Sequence, residues 1–388
     1  MKKALSLLVA LLVVLTASAA IAEVEIVNFY PGNDIYELEG HTALKITTDD
    51  GNELAVSYGE FDFDSPGFVY RFVKGETDYR MGVHPWELFE YPYRRQQRRI
   101  VAHRIDMDSV QLARLEALLV ENMKPENVVY RYNYVKDNCA TRPLRIVEKA
   151  LGDSILLGPT AFDAESAWPV TFRNVMRHYH QNYPWYQFGI DLALGSGIDY
   201  PINFREEAFA PVILDSQLTR ATVSGHPLVK ETTVICDYPA DNAVQGPTPW
   251  LWHPLTVCWL WFIITAMICL HDLRRKHVTR WFQAFAFAIM GLAGLVLAFL
   301  VFISVHEATS PNWLLAWLNP LCLIVPLFIW LKKCKTVVFS YQIVNFAVLL
   351  LLLLSWCFIP QSTNAAFLPL VLADMAMAAT YIAVYRNN

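Results

Sequence analysis

Everything after Trp250 constrains the fold before any motif is considered. Five apolar stretches run roughly over 254–270, 281–305, 313–331, 339–358 and 367–385. Each approaches the ~20 residues that a helix needs to cross a bilayer. Whole-chain composition hides this division. Hydrophobic residues make up 55% of the sequence and the formal net charge is −5, yet the charges lie mostly before Pro249. The mild acidity gives no reason to expect a nucleic-acid partner, and the basic cluster Arg94, Arg95, Arg98 and Arg99 reads as a lipid-phosphate contact or a solvated face.

Basic residues orient the spans. Arg274, Arg275, Lys276 and Arg280 follow the first stretch, Lys332, Lys333 and Lys335 the third, and Arg386 the fifth. Loops 306–312 and 360–364 carry neither Lys nor Arg. The positive-inside rule therefore puts the basic loops in the cytoplasm and residues 23–250 on the outer side. Met1-Lys2-Lys3 and the apolar run to Ala20 point the same way. They read as a signal peptide, 1–22, with small-x-small cleavage sites at Ala17-Ser18-Ala19 and Ala20-Ile21-Ala22. The expected organisation is an exported domain, 23–250, followed by a five-span membrane domain, 251–388, in the inner (cytoplasmic) membrane with its globular part periplasmic.

Seven cysteines are present, but only Cys139 and Cys236 fall in the exported part. Cys139 lies in Asn133-Tyr134-Val135-Lys136-Asp137-Asn138-Cys139-Ala140-Thr141-Arg142-Pro143, where a strand-like stretch turns into a helix. Asp137 and Asn138 are N-cap types, and Leu144, Val147 and Leu151 recur at helical spacing before Gly152. A thiol there feels the positive end of the helix dipole, which favours thiolate. Upstream, His41 opens the alternating run His41-Thr42-Ala43-Leu44-Lys45-Ile46, so the two suggest a Cys/His nucleophilic pair. A buried structural Cys beside an unrelated His, or a Cys139–Cys236 disulfide, are the competing readings. No Cys/His spacing suits zinc, and the Gly-rich stretch 185–199 lacks a phosphate-loop lysine or dinucleotide spacing. No metal and no cofactor are expected.

Thr48-Asp49-Asp50-Gly51-Asn52 reads as a hairpin connection. A tight turn at Asp50-Gly51 would set Glu60 opposite His41 with Tyr58 diagonally beside it, making both candidates to orient the imidazole. In the membrane half, His306 and Glu307 occupy an outer loop. Pro320 and Pro326 interrupt the third span near Asn319.

Four segments together resemble the periplasmic domain of the Lnb family: Gly40-His41-Thr42-Ala43-Leu44, Tyr58-Gly59-Glu60-Phe61, Asp137-Asn138-Cys139-Ala140-Thr141-Arg142, and Asp191-Leu192-Ala193-Leu194-Gly195 with Arg205-Glu206. His306, Asn312-Trp313 and Asn319-Pro320 are similar to that family's outer-loop pattern. The chain departs from it at Ala140, where relatives favour Thr. The resemblance covers nearly the whole mature chain. It implies an α+β, permuted papain-like or NlpC/P60-like thiol domain, with His before Cys, followed by the all-α membrane domain. It also implies a lipoprotein N-acyltransferase with Cys139 as nucleophile and His41 as general base. A phospholipid would be the acyl donor and a diacylglyceryl-cysteine lipoprotein the acceptor. Tyr58 and Glu60 complete the expected catalytic set; His306, Asn138 and Asn312 are the expected substrate-binding residues. A membrane-anchored cysteine hydrolase of cell-wall peptides is the rival enzyme, and a binding protein with a decayed site the rival class.

Overall fold

The computed structural model describes residues 20–165 and 169–386. Residues 1–19 of the expected signal peptide lie outside that range. Contacts divide the chain into two units. The first comprises Met1–Phe68, Thr77–Val170 and Pro201–Gln245, the second Val69–Glu76, Thr171–Tyr200 and Gly246–Asn388.

The first unit is built on strands β1 (Ile21–Phe29), β2 (His41–Thr48), β3 (Glu53–Glu60), β4 (Asp78–Pro85), β5 (Ile100–Ile105) and β6 (Val129–Arg131). A small sheet of β7 (Ile155–Leu156), β8 (Thr222–Val223) and β9 (His226–Pro227) precedes β10 (Val229–Cys236). The main sheet has seven strands in the order β10-β5-β1-β2-β3-β4-β6, with every neighbouring pair antiparallel. Alternation along β2 explains its two faces. Leu44 and Ile46 join Ile26, Val56 and Tyr58 in the larger core, under helices Ser109–Met123 and Thr141–Leu151. Ala43 joins Val27, Phe29, Ala55 and Trp86 on the other face, under helix Trp86–Arg95. The mixed α+β expectation holds for this unit.

Among the described residues of the second unit four helices are long and apolar enough to cross a membrane: Pro254–Arg275, Arg280–Phe302, Lys332–Phe358 and Phe367–Arg386. The third expected span is not one continuous helix. It is broken into 3-10 turns Trp313–Ala316 and Pro320–Leu323 and a short helix Ile324–Phe328. Asn312 caps the first turn of the segment and Asn319 starts a second one inside it, because each side-chain oxygen accepts the backbone N–H two residues on, at 3.0 Å. Proline after Asn319 removes a helical donor as well. The broken segment lies tightly on helix Arg280–Phe302, where a Cβ on Gly294 would stand 2.6 Å from the Asn319 Cα.

Candidate active site

Asn138 starts the helix that carries the thiol. Its Oδ1 accepts from the N–H groups of Ala140 and Thr141, both at 3.0 Å, while its Nδ2 donates to the carbonyls of Tyr134 and Phe209. The buried amide is thus used on both sides by backbone, which rigidly sets the turn at Cys139. Leu144, Val147 and Leu151 face the core as their spacing predicts, and Gly152 ends the helix in the left-handed region. Asp137 is held by Arg142 and Arg145 on the helix flank.

Cys139 and Cys236 are both free, buried thiols, so the disulfide reading is set aside. Burial pushes the Cys139 thiol above its ordinary pKa, opposed by hydrogen bonds from the Thr42 backbone N–H and the Tyr132 hydroxyl. The sulfur therefore lies against the residue that follows His41. Gly59 makes the close approach possible. It has φ +92°, and a Cβ there would stand 3.0 Å from Tyr132 Cε2 and 3.8 Å from the Cys139 Cβ. Thr42 is itself anchored through a buried chain. Its Oγ1 donates to Asn28 Oδ1 (2.7 Å), and Asn28 donates to Asp215, which also binds Tyr30 and His103 (2.7 Å to Nε2).

His41 opens β2 with its ring among Phe29, Phe89 and Tyr93, and its Nε2 lies 3.0 Å from Ser57 Oγ. Burial, with the Arg98 guanidinium nearby, lowers its pKa to about 4. At pH 7 it is a neutral imidazole able to accept a proton.

The hairpin differs from the expected one. The connection is a three-residue loop, Asp49-Asp50-Gly51, closed by Thr48 and Asn52, and it pairs Ala43 with Ser57. That extra loop residue moves the register by one and reverses the faces. Ser57, not Tyr58, consequently shares the His41 face. Tyr58 is in the larger core, with Arg142 above its ring and its hydroxyl buried without a hydrogen-bond partner. Glu60 follows a bulge at Gly59 and reaches His84, at 2.6 Å from Nε2, rather than His41. Neither expected orienter touches the imidazole.

His306 and Asn312 belong to the second unit. His306 Nε2 donates to the Phe72 carbonyl (2.8 Å), and Asn312 Nδ2 donates to the Leu192 carbonyl (3.0 Å). Both polar groups are spent on tying backbone segments together. The same unit holds a buried cluster in which Arg173 donates to Asp191, Asp199 and the carbonyls of Leu194 and Gly195. Asp191 thus earns its place in the quoted motif by holding an arginine that no local pattern marked.

Among the described residues no group of three or more His, Cys, Asp or Glu side chains is placed to hold a metal ion. Sequence reasoning missed Ser57, Tyr132 and His84. Ser57 follows from the loop length alone, Tyr132 lies just after β6 in the stretch that leads to Cys139, and His84 arrives on β4.

The family model described as the Lnb N-terminal periplasmic domain matches residues 13–178, and that described as the Lnb transmembrane domain matches residues 247–388. No curated protein and no solved structure matches the chain.

Proposed function

The chain belongs to the Lnb family, and on that premise we propose that it is a membrane-bound thiol acyltransferase acting in lipoprotein maturation. The observation that carries the reading is the buried Cys139 thiol, held at a helix start by the N–H of Thr42, the residue that follows His41 in β2. In the His41 tautomer that donates Nε2–H to Ser57 Oγ, Nδ1 is left as the proton acceptor. Cys139 then loses its proton to His41 and attacks an ester carbonyl of a phospholipid. The C–O bond breaks, the proton passes to the departing alcohol, and the acyl chain remains on sulfur as a thioester. The Tyr132 hydroxyl and the Cys139 N–H are hydrogen-bond donors for the oxyanion. In the second half-reaction the α-amine of a diacylglyceryl-cysteine lipoprotein attacks the thioester and restores the thiol. The permuted papain-like order, with a strand-borne His preceding a helix-start Cys, suits this chemistry because such sites are defined by geometry rather than by chain order. Helices able to span a bilayer keep the enzyme where both lipid substrates reside.

Purified full-length protein given phospholipid alone should gain one acyl group on Cys139, removable by hydroxylamine. Adding a diacylated lipopeptide with a free amine should convert it to the triacylated form. Cys139→Ser should abolish both. Muropeptide cleavage without an acyl-enzyme would reject the transferase in favour of a hydrolase.

A further inference from the structure

A groove of about 350 Å³ in the first unit is lined by Glu37, His84, Pro85, Leu88, Phe89, Pro92, Tyr93 and Gln96. Its inner wall is also the wall of the catalytic pair. Phe89 packs on His41 on one side (6.1 Å between centroids) and stacks on His84 on the other (5.9 Å, 17° between planes). Tyr93 stacks on His41 as well, and Arg98, Glu37, Cys139 and Glu60 lie near enough to act on its hydroxyl. Tyr93 therefore faces both the groove and the surroundings of the thiol.

We propose that this groove receives the amine-bearing end of the acyl acceptor, and that the His84–Glu60 pair takes the proton from its incoming ammonium. The proposal rests on the acyl-transfer reading above and assigns its second substrate. Chemistry asks for such a group. An α-ammonium has a pKa of ~8 and cannot attack a thioester until it loses a proton. His41 is taken up by the second amine proton, the one that must reach the departing sulfur, so the first proton needs another acceptor. His84 is the better matched base. Its Nε2 is 2.6 Å from Glu60 Oε1, so Nε2–H donates to the carboxylate and Nδ1 is left to accept. That hydrogen bond raises the His84 pKa, with burial and Arg80 opposing. The pair is about one-third exposed, 43% for His84 and 32% for Glu60, and so meets a ligand arriving from water.

The remaining lining fits the same occupant. Glu37, bound to Arg98 at 2.8 Å, and Glu60 place two carboxylates around the groove. Glu37 is already offset by Arg98, so the Glu60 carboxylate behind His84 is the one that favours a cationic amine. Pro85, Leu88, Phe89 and Pro92 supply an apolar wall for the thioether and glyceryl carbons next to that amine. The protons balance as follows. The ammonium gives one to His84 Nδ1, and the neutral amine adds to the thioester carbonyl. As the C–S bond breaks, His41 carries the second amine proton to the departing sulfur. The products are an amide, the Cys139 thiol and a protonated His84 that returns its proton to water.

The test uses full-length protein in phospholipid nanodiscs with the Cys139 acyl-enzyme formed. Discharge by a synthetic free-amine diacylated lipopeptide is compared with discharge by hydroxylamine, a weaker base that is neutral at pH 7. In His84→Gln the lipopeptide-to-hydroxylamine rate ratio at pH 7 should fall at least tenfold, and should recover as the pH passes ~8, where the amine is neutral in solution. A ratio within twofold of the parent, or an unchanged pH profile, overturns the assignment of the base. A second readout needs no acyl-enzyme. The same lipopeptide should shield Cys139 from iodoacetamide, and Leu88→Arg, on the 72% exposed lip, should require at least ten times more of it. Equal shielding overturns the groove. Failure to form the acyl-enzyme would reject the transferase reading, while the shielding experiment would still judge the groove.

Discussion

Replacing Gly59 by Ala separates backbone strain from the contact that shapes the thiol. Gly59 sits at φ +92° and Gly51 at φ +85°, so an L side chain at either position costs about 1–2 kcal/mol. Only Gly59 is crowded. Its new Cβ would stand 3.0 Å from Tyr132 Cε2, whereas nothing lies within 4 Å of a Cβ at Gly51. Both variants should therefore lower the unfolding midpoint by a few degrees, at ~2–4 °C per kcal/mol for a unit of this size. In Gly59→Ala, Tyr132 must also give way, which weakens its hydrogen bond to the Cys139 sulfur. A hydrogen bond to a charged group contributes about 1.5–3 kcal/mol, equivalent to roughly one to two pKa units for the thiol. The thiolate fraction at pH 7 falls by that factor, and the higher nucleophilicity of a more basic thiolate offsets about half of it. Iodoacetamide should then label Cys139 about three- to tenfold more slowly in Gly59→Ala and at the parental rate in Gly51→Ala, with labelling followed peptide by peptide in a mass spectrometer. Equal labelling of Cys139 in the two variants would refute the role given to the Gly59–Tyr132 contact.

Other consequences follow from the same geometry. His41 titrates near 4 in the folded protein against ~6.5 unfolded, so the unfolded chain binds more protons between these values, and stability is lost as the pH falls through that window. The loss is about 3 kcal/mol by pH 4, and His41→Gln should flatten that part of the unfolding profile; an unchanged slope would mean another group titrates there. Asp215→Ala leaves buried His103 and Asn28 without their shared acceptor and should destabilise the first unit by about 3–5 kcal/mol, measured as a lowered unfolding midpoint. The Ala20 carbonyl accepts from the Asp49 N–H, and Ile21 already pairs in β1, so the mature N-terminus should read Ala20-Ile21-Ala22-Glu23 rather than begin at Glu23. An impermeant thiol reagent on intact cells should label a cysteine placed at exposed position 307 and spare one at exposed position 333; the reverse pattern would invert the topology read from the basic loops.

Local patterns in the chain determined what depends on local patterns. Apolar runs of spanning length, the helix start at Asn138 and the alternation of β2 are each set within one element, because burial and capping act over a few residues. Cys139 and His41 stood out for the same reason, since a thiol at a helix start and a His at a strand start have recognisable neighbours. The third span is broken where local chemistry competes with hydropathy. Asn319 caps a new turn inside an apolar run, and the packing of Gly294 against Asn319 accommodates the break. Tertiary structure decided everything that depends on register or on distant strands. One additional residue in the Asp49–Gly51 loop turned Tyr58 into the core and brought Ser57 to His41. Tyr132 reaches the sulfur because Gly59 lacks a side chain, and His84 meets Glu60 across a bulge between β3 and β4. The Ser57–His41 and Glu60–His84 contacts are fixed by strand pairing, and no short window of the chain encodes them.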